Sequence, residues 1–379
     1  MIYITVKQSP MYHQMTLEEF LFETEQNPGL INENTANTRT YEVESLSHVF
    51  RRRLHLNHLI NKLIEFNQET EELRKLPRHT LYHTFYIPKK SGGLRKIDAP
   101  NPELMEALRK LKKIFEDDFG ALYHTSSFAY VKKRSTIKAV ERHQQNESKW
   151  FGKYDLSNFF GSTTPEFVEK MFSMVFPFSE VMKDKVGHDE LTTALSLAFL
   201  NGGLPQGTPV SPIITNIMMI PVDFNLFKKL RQFDNQRFVY TRYADDFLVS
   251  SRYDFDFRKI ENLIVDVLQS FDAPFSIKSS KTRYGSSAGS NWNLGIMLNK
   301  DNKMTIGHKK KRQFEAMLAS YVMDKQNGIQ WELNDVQVLE GYRNYYRMIE
   351  GTAIDKIVHH VGNKFHVNIV KMIKSDLRS

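Results

Sequence analysis

Hydrophobic positions in residues 238–251, FVYTRYADDFLVSS, form two runs rich in aromatic and β-branched residues, which flank an acidic pair. Such runs favour β-strands, so the segment predicts a β-hairpin with Asp245 and Asp246 at its turn. Adjacent carboxylates between buried arms repel each other and resist loss of water. A divalent cation would offset that cost, because hard cations such as Mg²⁺ prefer carboxylate oxygens. An acidic surface turn without a ligand is the alternative that this segment leaves open.

A second hairpin is predicted upstream. Two strand-like patterns, residues 82–88 and 94–98, are separated by a Ser-Gly-Gly turn. Lys89 and Arg95 belong to a cluster of cations around this turn. Such cations suit a triphosphate or a nucleic-acid backbone, because charge-assisted hydrogen bonds to phosphate are strong. A solvated edge hairpin is the alternative.

Two further segments contain candidate functional residues. Asp155 lies among aromatic neighbours in the strand-like residues 151–161, where an unpaired aspartate is unfavourable. It is therefore either a ligand-binding residue or a strand-end residue that backbone amides satisfy. Residues 201–216 are rich in glycine and proline and lead into an apolar helix, with Ser211 as its cap and Pro212 in its first turn. Such a loop brings backbone close to a ligand, unless it is an ordinary connection.

Helical periodicity dominates the rest of the chain. Asn101 is suited to cap a helix, and Pro102 fits the first helical turn. The predicted helices cover residues 41–76, the segment from 102 onward, 166–175, 257–271, the segment from 308 onward, 336–348 and 353–373. Short strands are predicted over residues 275–278, 292–298 and 303–306.

The composition is that of a globular chain with a basic excess. Its 379 residues are 41% hydrophobic, and no apolar run approaches the roughly 18 residues that a membrane-spanning helix needs. The N-terminus lacks a basic region followed by an apolar core, so we expect no signal peptide. The absence of cysteine excludes disulfides and Cys-ligated zinc and fits a reducing cytoplasm. A net charge of +8 and a pI near 9.2 favour polyanionic partners.

Six sequence segments occur in a characteristic order: IPKKSGGLRKIDAP, KYDLSNFF, GGLPQGTPVSP, YADD, SKTR and NLGI. In this order they resemble bacterial reverse transcriptases, the set that spans group II intron proteins, retron enzymes and phage-defence enzymes. The resemblance extends from Tyr82 to the end of the chain. It implies an α+β right-hand polymerase with fingers, a palm built on a ferredoxin-like sheet, and a helical thumb. We expect a helical N-terminal extension over residues 1–80, fingers and palm over 81–300, and the thumb over 301–379.

The resemblance implies an RNA-directed DNA polymerase that extends a primer with dNTPs by two-metal-ion nucleotidyl transfer. Asp155, Asp245 and Asp246 match its catalytic carboxylates, and the carbonyl of Leu156 matches its backbone metal ligand. Two Mg²⁺ ions, or Mn²⁺ in their place, would lie about 3.5 to 4 Å apart between these groups. Adjacent residues of a strand point to opposite faces, so we expect Asp246 to be the less essential ligand.

Further residues acquire roles from the same resemblance. Phe160 matches an aromatic gate that would clash with a ribose 2′-hydroxyl and so select deoxynucleotides, although a buried core phenylalanine is the alternative. Lys281 matches a lysine often proposed to protonate the leaving pyrophosphate. The residues assigned to the incoming nucleotide are Lys89, Arg95, Phe160, Gln206, Gly207 and Lys281. Those assigned to the template–primer backbone are Lys309, Lys310, Lys311 and Arg312.

The subgroup depends on two local signatures. Retron enzymes usually carry Asn-Ala-x-x-His before the first aspartate, whereas residues 138–143 of this chain are KAVERH. They also carry Val-Thr-Gly in the thumb region, where this chain has Leu294, Gly295 and Ile296. Both departures argue against a retron enzyme. They favour a stand-alone enzyme related to group II intron proteins, in antiphage defence or a retroelement, without an RNase H or endonuclease region.

Two other functions remain open at this point. One is template-independent or protein-primed DNA synthesis in a defence system, and the other is RNA binding or splicing assistance with an idle polymerase site. The expected partners are an RNA template, a DNA or RNA primer, dNTPs and a cognate structured non-coding RNA, with no membrane. The expected location is the cytoplasm.

Overall fold

The structure is a computed structural model that describes residues 3–8, 11–16, 56–89, 92–119, 123–233, 236–288 and 294–378. The chain divides into two units. The first unit comprises Met1–Asp118, Val168–Asn201 and Pro205–Val210, and the second comprises Phe119–Phe167, Gly202–Leu204 and Ser211–Ser379.

The described elements are strands and helices in a mixed order. The strands are β1 (Tyr3–Gln8), β2 (Met11–Thr16), β3 (Tyr82–Pro88), β4 (Leu94–Pro100), β5 (Trp150–Asp155), β6 (Val239–Tyr243), β7 (Asp246–Ser251), β8 (Arg283–Ser286), β9 (Met297–Leu298) and β10 (Met304–Thr305). The helices are α1 (residues 56–69), α2 (Glu71–Lys75), α3 (Pro102–Phe119), α4 (Thr136–Gln145), α5 (Phe159–Ser162), α6 (Pro165–Phe172), α7 (Phe178–Val181), α8 (Lys185–Ser196), α9 (Ser211–Met218), α10 (Ile220–Arg231), α11 (Phe257–Ser270), α12 (Gly307–Gln326), α13 (Leu333–Lys364) and α14 (Ile369–Asp376). The α+β class predicted from the sequence is confirmed.

The N-terminal part of the first unit combines a hairpin with helices. Strands β1 and β2 pair antiparallel, with Tyr3 opposite Thr16. This hairpin was not predicted, because the sequence indicates helix for the extension. Helices α1 and α2 confirm the helical character after residue 55. The predicted helical residues before 56 lie outside the described part of the chain.

The second hairpin and the helix after it match the prediction. Strands β3 and β4 pair antiparallel, with Phe85 opposite Ile97. The side-chain oxygen of Asn101 accepts a hydrogen bond from the backbone N–H of Leu104 at 2.8 Å, as expected of a helix cap. On the buried face of α3, the ring of Phe115 packs edge-on against that of Phe178, with centroids 5.4 Å apart.

The second unit is built around a four-stranded antiparallel sheet in the order β6-β7-β5-β8. Helix α4 is attached to this sheet by His143, whose ring nitrogens are hydrogen-bonded to the hydroxyls of Ser250 and Thr241 at 2.6 and 2.8 Å. On β5, the ring of Tyr154 stacks on that of Phe257, at the start of α11, at 4.9 Å. The sheet therefore has helices fixed to it by both polar and aromatic contacts.

The C-terminal residues of the second unit form a helical bundle on the short β9–β10 ribbon. Helix α13 is bent at Glu350, whose φ of −138° and ψ of 57° are not helical. The chain then leaves the helix at His366, with φ of 53°, and Asn368 caps α14. The prediction of one continuous helix over residues 353–373 is therefore wrong. A left-handed residue and a new helix cap divide this segment into two helices.

Two predicted strands are also corrected. The strand predicted over residues 151–161 ends at Asp155, because Asn158 takes up a left-handed conformation, with φ of 45°, and starts α5. The strand predicted over residues 275–278 is reduced to one bridge between Leu156 and Ile277. No helix in the described part of the chain is long and apolar enough to cross a membrane.

Candidate active site

The acidic hairpin has the predicted geometry. Strands β6 and β7 pair antiparallel up to Tyr243 and Asp246, so the turn consists of Ala244 and Asp245. Ala244 has φ of 56°, a left-handed conformation that is uncommon for a residue with a Cβ atom. The turn is thus tight and places both carboxylates at the end of the sheet.

Asp155 lies beside this turn. In the register between β5 and β7, Asp155 is opposite Asp246, and the backbone N–H of Leu156 donates to the carbonyl of Asp245 at 3.1 Å. Positions 155 and 245 are therefore neighbours at the backbone. The Asp155 residue is only 4% exposed, so its carboxylate lies in a region with little water, whereas Asp245 and Asp246 are partly buried.

Burial and mutual repulsion act on these carboxylates in the same direction. Burial raises the pKa of Asp245, and the negative charge of Asp155 adds to this increase. Burial also raises the pKa of Asp246; the nearby Lys153 lowers it, whereas Asp245 and Asp155 raise it further. The charged forms of Asp245 and Asp246 are therefore unfavourable unless positive charge is close.

Two lysines supply positive charge. The Nζ of Lys281 lies 2.8 and 2.9 Å from the two carboxylate oxygens of Asp155, and this hydrogen bonding raises the pKa of Lys281. The Nζ of Lys153 lies 2.9 Å from Oδ2 of Asp246. Lys153 was missed in the sequence analysis, although its position two residues before Asp155 on one strand places it on the same face.

The donor set fits a hard divalent cation. Carboxylate oxygens are the preferred ligands of Mg²⁺, and Oδ1 of Asp246 is buried without a hydrogen-bond partner. In the described part of the chain, no three acidic or histidine side chains are arranged as a ready metal cage. The carboxylates instead contact lysine ammonium groups, which compensate the same negative charge that metal ions would.

Phe160 lies close to these strands in sequence, on the short helix α5. Its ring is half-buried and packs edge-on against that of Phe159 at 5.5 Å. Its carbonyl accepts a hydrogen bond from the backbone N–H of Leu204 at 2.9 Å. A Cβ atom on Gly203 would lie 2.2 Å from the carbonyl oxygen of Gly161, so only glycine allows this approach. The conformation of α5 is thus fixed by the loop segment 202–204.

The cationic hairpin and the Gln206–Gly207 loop belong to the first unit and contact each other. The backbone N–H of Asp98, on β4, donates to the carbonyl of Gln206 at 2.8 Å. Gly207 has φ of 123°, and a Cβ atom there would lie 3.0 Å from the Asp98 carbonyl oxygen. Asp98 was not among the predicted residues; its backbone fixes this loop against the hairpin that contains Lys89 and the exposed Arg95.

The basic start of α12 is not uniformly exposed. Lys309 and Arg312 are exposed. The Nζ of Lys310 donates to the carbonyl of Gly295 at 2.7 Å, and that of Lys311 lies 2.6 Å from a Glu350 carboxylate oxygen. Of the four predicted backbone-binding residues, Lys309 and Arg312 are thus the ones whose side chains extend into solvent.

Comparison with known proteins identifies the family. Residues 87–314 match the family described as reverse transcriptase (RNA-dependent DNA polymerase). The retron Ec83 reverse transcriptase of Escherichia coli is 25% identical over 309 residues, which cover 78% of this chain and 90% of that protein. The retron Ec73 enzyme of the same species is 28% identical over 54% of this chain and 64% of its own length.

More distant similarities extend over less of the relatives. A COX1/OXI3 intron 1 protein of Saccharomyces cerevisiae is 27% identical over 38% of this chain and 18% of its own length. A Candida albicans telomerase structure aligns with a TM-score of 0.43 at 14% identity, over 76% of this chain and 54% of that one. This similarity is too low to support the family assignment. The family match covers more than half of the sequence, and the chain belongs to the reverse transcriptases, the RNA-directed DNA polymerases.

Proposed function

We propose that this reverse transcriptase belongs to a retron-type element and copies a cognate structured RNA with dNTPs. The similarity to the Ec83 enzyme supports this proposal, because it extends over 78% of this chain and 90% of that protein. The intron protein matches 38% of this chain, so the intron-related subgroup favoured by the two altered signatures is the weaker alternative. A cytoplasmic location and a role in antiphage defence remain part of the proposal.

The observation that carries the catalytic proposal is the convergence of Asp155, Asp245 and Asp246 at one end of the sheet. These carboxylates, with the carbonyl of Leu156, would bind two Mg²⁺ ions, which act as Lewis acids on phosphoryl oxygens. Lys281 is protonated at neutral pH, since its pKa is raised by Asp155. That proton would be available to a leaving pyrophosphate once Nζ leaves the Asp155 carboxylate, because the negative charge of Asp155 makes the ammonium group a weaker acid.

We also propose roles for residues that would contact the incoming nucleotide, the template and the primer. Phe160 would exclude the ribose 2′-hydroxyl, and the nucleotide-binding set would include Lys89, Arg95, Gln206 and Gly207. Lys309 and Arg312 would contact the phosphate backbone of the template and primer. The division into an extension (1–80), fingers and palm (81–300) and thumb (301–379) is proposed on the same basis.

The test is primer extension by the purified chain on an RNA template, with Asp245→Asn and Asp246→Asn as variants. We expect Asp245→Asn to lower kcat by about 10³-fold or more, because it removes a ligand and a charge, and Asp246→Asn to lower it less. Asp301→Asn, an exposed aspartate at the β9–β10 turn, is the matched control and should retain full activity.

Two results would contradict the proposal. Equal incorporation of dNTPs without any RNA template would favour template-independent or protein-primed synthesis. Normal biological activity of an Asp245→Asn/Asp246→Asn variant would favour an RNA-binding protein with an idle site. Sequencing the RNA that copurifies with the chain tests the cognate partner, and a mixture of unrelated cellular RNAs would argue against it.

A further inference from the structure

Arg242 occupies an unusual position, two residues before the catalytic turn. Its side chain is fully buried on β6. Its Nε and Nη2 donate to the two carboxylate oxygens of Asp223, each at 2.8 Å, in a bidentate pair. The hydroxyl of Tyr240 also donates to Asp223 Oδ1 at 2.7 Å. Burying such a pair costs desolvation free energy, so its presence calls for a reason beyond stability.

The remaining donors of the guanidinium group point away from Asp223. Nη2 donates to the hydroxyl of Ser127 at 3.3 Å, and Nη1 donates to the side-chain oxygen of Asn216 at 3.3 Å. Nη1 also donates to the backbone carbonyl of Ala244 at 3.2 Å. The planar fork of Arg242 thus connects α9, α10 and the segment at residue 127 to the catalytic turn.

The contact with Ala244 acts directly on Asp245. The Ala244 carbonyl and the Asp245 N–H belong to one planar peptide group, so fixing one fixes the other. On the following side, the carbonyl of Asp245 accepts the hydrogen bond from Leu156 N–H at 3.1 Å. Both peptide groups that flank the Asp245 Cα atom are therefore held by hydrogen bonds.

The left-handed conformation of Ala244 needs such support. A non-glycine residue with φ of 56° carries strain, which persists only where the surroundings determine it. Arg242 supplies that support from inside the protein, and Asp223 fixes the plane of the guanidinium group.

We propose that Arg242 is a positioning residue, which orients the Asp245 carboxylate for the divalent cation through the Ala244 carbonyl. This inference rests on the proposed metal-binding role of Asp245. Arg242 itself is buried behind the turn and acts only through the backbone. Asp223 acts one step further away, as the partner that holds Arg242 in place.

Arg242→Lys tests the proposal. A lysine retains a positive charge for Asp223 but cannot reach both Asp223 oxygens and the Ala244 carbonyl from a planar fork. We expect kcat to fall about 10- to 100-fold and Mn²⁺ to bind more weakly by a similar factor, as measured by electron paramagnetic resonance on the protein without nucleotide. The KM for dNTP should change less than about 3-fold, because the nucleotide contacts are untouched.

Arg343→Lys is the matched control. Arg343 is 9% exposed and forms its own bidentate pair with Glu340, at 2.7 and 2.6 Å, within α13. Its replacement should lower the melting temperature but leave Mn²⁺ affinity unchanged. If Arg242 had only a structural role, Arg242→Lys would likewise lower the melting temperature and leave the Mn²⁺ affinity unchanged.

Further results distinguish a failure of the metal-binding role of Asp245 from a failure of the positioning role of Arg242. Wild-type protein that binds no Mn²⁺ would refute the metal-binding role of Asp245, whereas wild-type affinity in folded Arg242→Lys would overturn the positioning role. If Arg242→Lys does not fold, Arg242→Gln with Asp223→Asn removes both buried charges, and the same weakening is expected. A crystal structure of the wild-type chain decides without any variant, since more than about 4 Å between Arg242 Nη1 and the Ala244 carbonyl oxygen would end the proposal.

Discussion

At the residue scale, Lys281 and Lys153 supply the positive charge that the buried acidic cluster needs. Lys281 donates hydrogen bonds to both carboxylate oxygens of Asp155, and Lys153 forms an ion pair with Asp246. An ammonium group and a divalent cation compete for the same carboxylate oxygens. We therefore expect the Nζ of Lys281 to leave Asp155 when it reaches a leaving pyrophosphate, a short movement for a flexible, half-exposed side chain.

Phe160 allows a prediction about sugar selectivity. Its backbone carbonyl accepts the hydrogen bond from Leu204, and its ring packs edge-on against that of Phe159. Phe160→Ala should lower the preference for dNTPs over rNTPs by about 10- to 100-fold, because the space for a 2′-hydroxyl opens. The ratio of kcat/KM for the two nucleotide classes measures this. Phe160→Tyr, which keeps the ring, should retain the preference; unchanged selectivity in Phe160→Ala would make the residue part of the core.

His143 allows a prediction about stability and pH. Burial lowers the pKa of this fully buried imidazole to about 3. Its two ring nitrogens are hydrogen-bonded to the hydroxyls of Ser250 and Thr241, which a neutral imidazole satisfies with one donor and one acceptor nitrogen. In the unfolded chain a histidine takes up a proton near pH 6.5. The unfolded state therefore binds more protons below that pH, and folding stability is lost as pH falls from 6.5 toward 3.

The expected slope is about 1.4 kcal/mol of unfolding free energy per pH unit well below 6.5 from this group alone. Chemical denaturation at pH 7.0 and 5.5 should show a loss of about 1 kcal/mol that is absent in His143→Gln. His79→Gln, at an exposed histidine, is the control and should retain the wild-type difference. The same pH dependence in His143→Gln as in wild type would exclude His143 as its source.

At the element scale, the β3–β4 and β6–β7 hairpins and most helices could be predicted, because the residues that indicate them lie within the elements themselves. Aromatic and β-branched residues on both sides of Asp245 indicate strands, and Asn101 caps a helix with its own side chain. The β1–β2 hairpin and the break at His366 lack such signals. The roles of Arg242 and Asp98 depend on partners far away in sequence, so no local pattern could reveal them.

Glu350 shows how one element can cap another. Helix α12 begins at Gly307 without a side-chain cap from Ile306. The carboxylate of Glu350, at the bend of α13, instead accepts hydrogen bonds from Thr305 Oγ1 at 2.8 Å and Ile306 N–H at 3.0 Å. A negative charge there also favours the positive end of the helix dipole. The bend thus places a capping group at the start of the basic helix.

We expect Glu350→Ala to lower the free energy of unfolding by about 1 to 3 kcal/mol, because partly buried donors lose their acceptor. Glu350→Gln should cost less, since it keeps one acceptor oxygen. Urea denaturation followed by circular dichroism measures both. Glu315→Ala, at a partly exposed site on α12, should stay within about 0.5 kcal/mol of wild type. A Glu350→Ala effect as small as that of the control would mean that the cap is not needed.

At the scale of the whole molecule, the basic excess has two separable effects. The chain has 52 lysine and arginine residues against 44 aspartate and glutamate residues. Such an excess attracts any polyanion at long range, whereas a few cations at fixed positions replace counterions on the nucleic-acid backbone. Lys310 and Lys311 are examples of cations whose ammonium groups are bonded within the protein. They are not among the cations that would replace counterions on the nucleic-acid backbone.

The salt dependence of binding distinguishes these effects. Each phosphate contact adds about 0.9 to the slope of log affinity against log salt concentration on a duplex. Lys309→Gln with Arg312→Gln should therefore reduce the slope by about 2, as measured by fluorescence anisotropy with a labelled template–primer duplex. Lys183→Gln with Lys185→Gln removes the same charge from exposed positions of the first unit and should leave the slope unchanged. Equal slopes for both double variants would assign the binding to net charge and remove the start of α12 from the contact surface.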